Sequence, residues 1–209
     1  MTDDAKPLVH LVDDEEAIRR SAGFMLKTSG YRVETYASGM ELLKDARRLE
    51  PGCILLDVRM PEMDGLEVQK TLRDQGVAFP VIVMTGHGDV GVAVKAMKNG
   101  AIDFIEKPFE KAVLVAALEE GFTRLERADR GRERAEEAAV RLQALTPRER
   151  DVLEGLAQGL PNKTIAYDLG ISPRTVEIHR ANLMSKLEVR SLSDALRIAF
   201  AAGVGEEKA

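Results

Sequence analysis

The sequence predicts an α/β domain, a doubly wound five-stranded parallel sheet, joined by a helical linker to a small all-α domain. Three observations predict this. The first part alternates short, continuously apolar runs with amphipathic stretches, the pattern of strands buried on both faces and separated by helices. A charge-dense, Ala-containing segment follows. The remainder has no strand-like run and four short helical patterns. The chain has 209 residues, enough for two modest domains, and is 44% hydrophobic and 31% charged.

The runs Leu8–Val12, Tyr31–Thr35, Cys53–Leu56, Val81–Met84 and Ile102–Ile105 supply the five strands. Between them Ile18, Ala22 and Met25 share one helical face. Leu66, Gln69, Lys70 and Arg73 share another, expected to be solvated. Ser38 and Asp64 are expected N-caps, and Gly30, Gly76 and Gly100 sit where helices should stop. The last helix, Phe109–Arg124, closes the first domain at residues 1–124. Residues 125–143 carry 5 basic and 5 acidic side chains and favour a solvated linker helix. A coiled coil is the other reading, poorly supplied with large apolar seam residues. In the domain of residues 144–209, Thr146-Pro147-Arg148-Glu149 opens a helix that Gly159 ends. Asn162 is expected to cap the next, which Gly170 ends. Ser172-Pro173 opens a third and Ser191 a fourth, ended by Gly203. Four short helices in this space suggest a helix-turn-helix.

Composition excludes several classes. Cys53 is the one cysteine, which rules out an internal disulfide framework and a Cys-rich zinc site and fits a reducing compartment. It is read as a small buried hydrophobe. His10 and His87 lack metal-ligand spacing to a partner and are read as core and loop residues. No apolar secretory segment follows Asp3 and Asp4, and no run of ~18 apolar residues exists, so a cytoplasmic, membrane-free location is expected. The net charge of −5 comes from residues 1–124, with 16 Lys+Arg against 21 Asp+Glu. Residues 144–209 balance at 9 against 9. The acidity argues against a nonspecific nucleic-acid coat but leaves room for a local DNA-reading surface.

Chemistry-bearing residues recur at the strand ends: Asp13 and Asp14, Asp57, Thr85 and Lys107. In an open parallel sheet these ends share one edge, where ligands bind. Three converging carboxylates repel one another, so a cation is expected, and an all-oxygen donor set favours Mg²⁺ over zinc. Lys107 is a point charge suited to a phosphoryl group, and Thr85 a hydroxyl for one of its oxygens.

Val12-Asp13-Asp14-Glu15, Leu56-Asp57-Val58-Arg59-Met60-Pro61, Met84-Thr85-Gly86 and Glu106-Lys107-Pro108-Phe109 resemble the response-regulator receiver domain, a flavodoxin-like fold, over residues 7–124. The resemblance implies that Asp57 accepts a phosphoryl group from a sensor histidine kinase and self-hydrolyses the aspartyl phosphate. It implies Mg²⁺ held by Asp14, Asp57 and the backbone carbonyl of Arg59, with Asp13 acting through water. It implies a cis peptide before Pro108, with Thr85 and Phe104 as switch residues. Such a chain is a phosphoacceptor regulator rather than an enzyme. A phosphohydrolase with an aspartyl intermediate would need an acid/base where Arg59 stands, and a substrate cap, of which the sequence shows no sign.

Along Ser172–Leu187, Val176, Leu183 and Leu187 form a core stripe, and Arg174, Glu177, Ile178, Ala181 and Ser185 fall opposite. An Ile among charged surface residues suits thymine methyls in a major groove, and Glu177 could accept from cytosine N4. Arg174, Thr175, His179, Asn182 and Lys186 flank this face within reach of phosphates, and Asn162 and Lys163 sit at a helix N-terminus that favours phosphate. Leu145-Thr146-Pro147-Arg148-Glu149, Leu160-Pro161-Asn162-Lys163 and Ser172 through His179 resemble the LuxR/NarL-type helix-turn-helix, which implies base reading by Glu177, Ile178 and Ala181. The whole order, with Thr85-Gly86-His87-Gly88-Asp89-Val90, resembles response regulators of the FixJ type. That resemblance implies phosphorylation-driven homodimerisation, double-stranded promoter DNA and RNA polymerase as partners, and activation of oxygen-regulated or nitrogen-fixation genes. A constitutive DNA-binding regulator with a non-signalling receiver is the alternative.

Overall fold

The computed structural model describes residues 6–86 and 90–205, so His87, Gly88 and Asp89 lie outside the described residues. The chain divides into two compact units, Met1–Arg127 and Ala128–Ala209.

The first unit holds strands β1 (Leu8–Val12), β2 (Arg32–Tyr36), β3 (Cys53–Asp57), β4 (Val81–Thr85) and β5 (Asp103–Glu106), all parallel, in the order β2-β1-β3-β4-β5. The three interior strands β1, β3 and β4 are buried at every position, as the apolar runs predict, whereas β2 and β5 are partly open because each lies at an edge of the sheet. Alternation along each strand feeds two cores. Val9, Leu11, Cys53, Leu55, Ile82 and Met84 pack against Ala22 and Leu26 of α1 (Glu16–Thr28) and Leu114 and Leu118 of α5 (Lys111–Leu142). Val12, Ile54, Leu56, Val81 and Val83 face Leu42 of α2 (Gly39–Lys44), Val68 and Leu72 of α3 (Gly65–Asp74) and Ala96 of α4 (Val90–Lys98). Each fully buried Leu or Val contributes about 1.5–3 kcal/mol.

Ser38 and Asp64 cap α2 and α3 as expected, Asp64 through a full capping box with Glu67. Gly30, Gly76 and Gly100 adopt positive φ at the helix ends. Gln69 departs from the solvated face assigned to it. It is buried, and its amide donates to the Ala96 carbonyl of α4 at 3.2 Å, because α4 packs over that side of α3. Cys53 is buried as expected, and burial pushes its thiol pKa up to about 12. His10 is also buried, stacked on Phe79, with Nε2 2.9 Å from the Glu50 carbonyl.

Helix α5 runs unbroken for 32 residues, so the last helix of the first domain and the linker are one element. Its last turns belong to the second unit, where Ala138 and Leu142 join the core. That unit contains α6 (Pro147–Ala157), α7 (Asn162–Leu169), α8 (Pro173–Lys186) and α9 (Leu192–Ala201) around Val152, Leu153, Ile165, Val176, Leu183, Leu187, Ala195 and Ala199. Thr146 and Glu149 form the expected capping box, and Ser172 and Ser191 accept from Thr175 and Asp194 backbone N–H groups. Asn162 does not cap α7. Pro161 takes the N-cap position, since its fixed φ suits the entry, and Asn162 becomes the first helical residue. Gly170 ends α7 with φ 65°.

Candidate functional site

The C-terminal ends of β1, β3, β4 and β5 bring the predicted receiver residues together. Asp13 and Asp57 are buried and Asp14 is exposed, and their carboxylates offer oxygens all within 4.8 Å of one another. Lys107 Nζ lies 2.7 Å from Asp13 Oδ2 and 2.7 Å from Asp57 Oδ1, so it bridges two strands ninety-odd and fifty residues away in sequence. The Lys107–Pro108 peptide is cis, and Lys107 N–H donates to the Thr85 carbonyl at 2.8 Å. Thr85 is buried at the end of β4, its hydroxyl donating to the Gly86 carbonyl at 3.3 Å. Phe104 is 42% exposed on β5, on the outside of the sheet edge. Arg59 follows Asp57 by two residues and is exposed.

The electrostatics follow from burial and the Lys107 ammonium. Burial pushes the Asp57 carboxyl above its usual range. Lys107 opposes that, while Asp13 and Asp14 add to it. Burial alone would depress the Lys107 ammonium, but hydrogen bonds to Asp13 and Asp57 outweigh it, and the pKa is raised. One Lys facing three carboxylates leaves excess negative charge among hard oxygen donors. That donor set fits a small divalent cation such as Mg²⁺.

Two contributors were missed by the sequence reading. Arg19 of α1 donates to the Asp13 carbonyl at 2.6 Å and the Asp14 carbonyl at 2.8 Å, tying down the turn that presents both carboxylates. Gly65 sits so close to β3 that a Cβ there would lie 2.2 Å from the Asp57 carbonyl oxygen. Arg19 addresses backbone groups, which leave no residue-type signature. The signal for Gly65 was its place directly after the Asp64 cap.

In the second unit α8 presents Arg174, Glu177, Ile178, Ala181, Asn182 and Ser185 outward, with Ile178 53% exposed, while Val176, Leu183 and Leu187 are buried as expected. Thr175 and His179 are half-buried, and Lys163 is exposed on α7. Two assigned side chains are already engaged. Lys186 Nζ lies 2.7 Å from Oε2 of buried Glu149, and Asn162 Oδ1 accepts from Arg180 Nη1 at 3.0 Å. Glu149 also accepts from Thr146 N–H at 2.8 Å. Its burial would raise its pKa, but the Lys186 and Thr146 hydrogen bonds hold it below the ordinary value. Arg141, at the end of α5, donates to the Leu187 carbonyl and fastens the close of α8.

A parallel-sheet acidic pocket on one unit and a helix-turn-helix on the other define a phosphoacceptor receiver coupled to a DNA-binding output. The chain belongs to the two-component response regulators. Residues 9–119 match the response regulator receiver domain, and residues 143–199 match the bacterial regulatory proteins of the luxR family. The chain is 49% identical over 197 residues to the transcriptional regulatory protein FixJ of Rhizobium meliloti, covering 94% of this chain and 97% of that one. It is 50% identical over 196 residues to FixJ of Azorhizobium caulinodans, covering 94% and 93%. Among solved structures it resembles full-length FixJ from B. japonicum (TM-score 0.60, 44% identity, 95% and 98% covered) and the response regulator StyR (TM-score 0.75, 39% identity, 94% and 99% covered). Among the described residues no helix is long and apolar enough to cross a membrane.

Proposed function

We propose that Asp57 is the phosphoacceptor and that its phosphorylation by a sensor histidine kinase switches the chain into a DNA-binding homodimer. The observation that carries this is the Lys107 ammonium at 2.7 Å from both Asp57 and Asp13, on the sheet edge where Thr85 also ends. A carboxylate held beside a fixed cation is a positioned nucleophile. An Asp57 oxygen attacks the phosphorus of the kinase's phosphohistidine, an O–P bond forms, and the P–N bond breaks to release the imidazole. Lys107 neutralises charge on the transferring oxygens. Asp13, Asp14, Asp57 and the Arg59 backbone carbonyl would hold Mg²⁺, which supplies charge neutralisation for the same oxygens. Water later attacks the phosphorus of the acyl phosphate, the Asp57 O–P bond breaks, and inorganic phosphate leaves the restored carboxylate.

The acyl phosphate carries roughly −1.5 to −2 where the carboxylate carried −1, and its oxygens give the Thr85 hydroxyl a stronger acceptor than the Gly86 carbonyl. Movement of Thr85 opens space into which Phe104 turns. The surface this would reshape already exposes apolar side chains: Val94 and Met97 on α4, Phe104 on β5 and Val113 on α5. Two receivers would pair through it, and two output domains would occupy half-sites about one helical turn, ~34 Å, apart. Arg174, Thr175, His179, Asn182, Lys163 and Asn162 would contact phosphates, with Glu177, Ile178 and Ala181 at base edges. The output is activation through RNA polymerase, with oxygen-regulated or nitrogen-fixation genes as targets, which the FixJ-type resemblance supports.

The test is incubation with a small acyl phosphate and Mg²⁺, followed by intact mass and sizing measurements. Wild type should gain one phosphoryl group and dimerise, and Asp57→Asn should do neither. Undiminished dimerisation of Asp57→Asn under phosphorylating conditions would contradict the reading.

A further inference from the structure

A side-chain hydrogen bond joins Arg180 to Asn162 across the two helices. Arg180 lies on α8 and Asn162 opens α7, eighteen residues earlier, and Arg180 Nη1 donates to Asn162 Oδ1 at 3.0 Å in a partly buried setting. A guanidinium has only donors, so it must face the amide oxygen. The contact therefore fixes which way the amide is turned: Oδ1 toward α8, and the Nδ2 group with its two N–H donors away from it. Without such a partner, the terminal torsion of Asn is broad and roughly two-fold. The amide would then present its oxygen to an incoming phosphate as readily as its donors.

The surroundings make that orientation matter. Helix α7 has Pro161 at its N-cap, a residue with no side chain able to cap the first N–H groups. Lys163 is exposed beside it. The start of α7 is thus an all-donor surface, provided Asn162 keeps its acceptor turned inward. Arg180 is half-buried between the helices while the outward positions of α8 are taken by Glu177, Ile178 and Ala181. The pair also ties α7 to the reading helix, so a phosphate seated on α7 fixes the register of α8 against the bases.

We propose that Arg180 is a positioning residue for DNA binding: it turns the Asn162 amide so that its N–H donors meet a backbone phosphate, and it does not itself contact DNA. The proposal rests on the reading of α7 as a phosphate-contacting helix.

The test uses the full-length protein treated with a small acyl phosphate and Mg²⁺, and a short duplex of scrambled sequence, since phosphate contacts are independent of sequence. Affinity is measured across a salt series for wild type, Asn162→Ala, Arg180→Met, the double variant, Arg180→Lys and Lys163→Ala. Arg180→Met keeps the aliphatic stem that packs between the helices. Arg180→Lys keeps a donor and a charge, and covers the case in which Arg180→Met fails to fold. Asn162→Ala and Arg180→Met should each weaken binding by about fivefold per protomer, the worth of a typical hydrogen bond. The double variant should be no weaker than either single one. Arg180→Met should leave the slope of log affinity against log salt unchanged, and Arg180→Lys should bind within about twofold of wild type. Losses that multiply in the double variant, a slope reduced in Arg180→Met, an Arg180→Lys loss as large as that of Asn162→Ala, or wild-type binding by Asn162→Ala would each overturn the proposal. Lys163→Ala reads the underlying assumption separately. Its slope should fall by about 0.9 per protomer, and an unchanged slope there would remove the phosphate role of α7 itself.

Discussion

Replacing Glu149 with alanine tests how the reading helix is held in place. Glu149 is buried, closes the capping box of α6 with Thr146, and accepts from Lys186 at the end of α8. Loss of the Glu149 half of the capping box, which accepts from the Thr146 N–H, costs about 1 kcal/mol. Loss of the ion pair adds about 0.5–1 kcal/mol, discounted because the Lys186 side chain is 37% exposed. The total is about 2 kcal/mol. For a unit of this size each kcal/mol shifts the midpoint by roughly 4–8 °C, so the second unit should melt about 8–16 °C lower. Hydrogen exchange read over residues 128–209 of the full chain, with thermal unfolding, measures this. Glu149→Gln should fall between the two, because an amide oxygen can still accept from Thr146 N–H but the charge is gone. Lys186→Met should lose stability while keeping the salt dependence of DNA binding, since its ammonium is committed to Glu149. A Glu149→Ala unit within 0.5 kcal/mol of wild type would refute this account of α8.

Two further outcomes follow from the same geometry. Gly65→Ala places a methyl 2.2 Å from the Asp57 carbonyl oxygen. The chain must shift there, so stability should fall by about 1–3 kcal/mol and phosphorylation of Asp57 should slow, as read by denaturant unfolding and by the rate of mass gain with an acyl phosphate. The depressed Glu149 pKa sets a pH dependence: the carboxylate stays ionised in the folded unit where the unfolded chain is protonated. Its stabilisation is therefore fully present above the unfolded pKa of about 4.5 and is lost as the pH falls through the lower folded value. Unfolding across that range should show a steeper acid loss in wild type than in Glu149→Gln.

The parallel sheet was legible because strands buried on both faces leave runs such as Cys53–Leu56 and Val81–Met84, and helix ends were legible where Gly or a Ser/Asp/Thr cap marks them. The acidic pocket was legible for the same reason: its members are strand-end residues, and a parallel sheet has one edge for them all. What escaped were contacts set by packing between elements. Gln69 lies on a polar stripe by helical spacing, yet α4 covers it. Lys186 looks like a free cation from the sequence, because Glu149 is thirty-seven residues earlier and serves a different helix. Asn162 has the right chemistry for a cap, but the proline before it already fixes the entry to α7. Arg19 binds carbonyl groups that every residue possesses, so no pattern announced it. The continuity of α5 was foreshadowed by Ala135, Ala138 and Ala139, with no proline between Lys111 and Leu142 to stop the helix.

The most direct measurement is the affinity of the full-length protein for its own promoter DNA before and after acyl-phosphate treatment, for wild type and Asp57→Asn side by side. Wild type should tighten on treatment and Asp57→Asn should not respond. A wild type that binds equally well untreated, or an Asp57→Asn protein that tightens to the same extent, would contradict the phosphorylation switch.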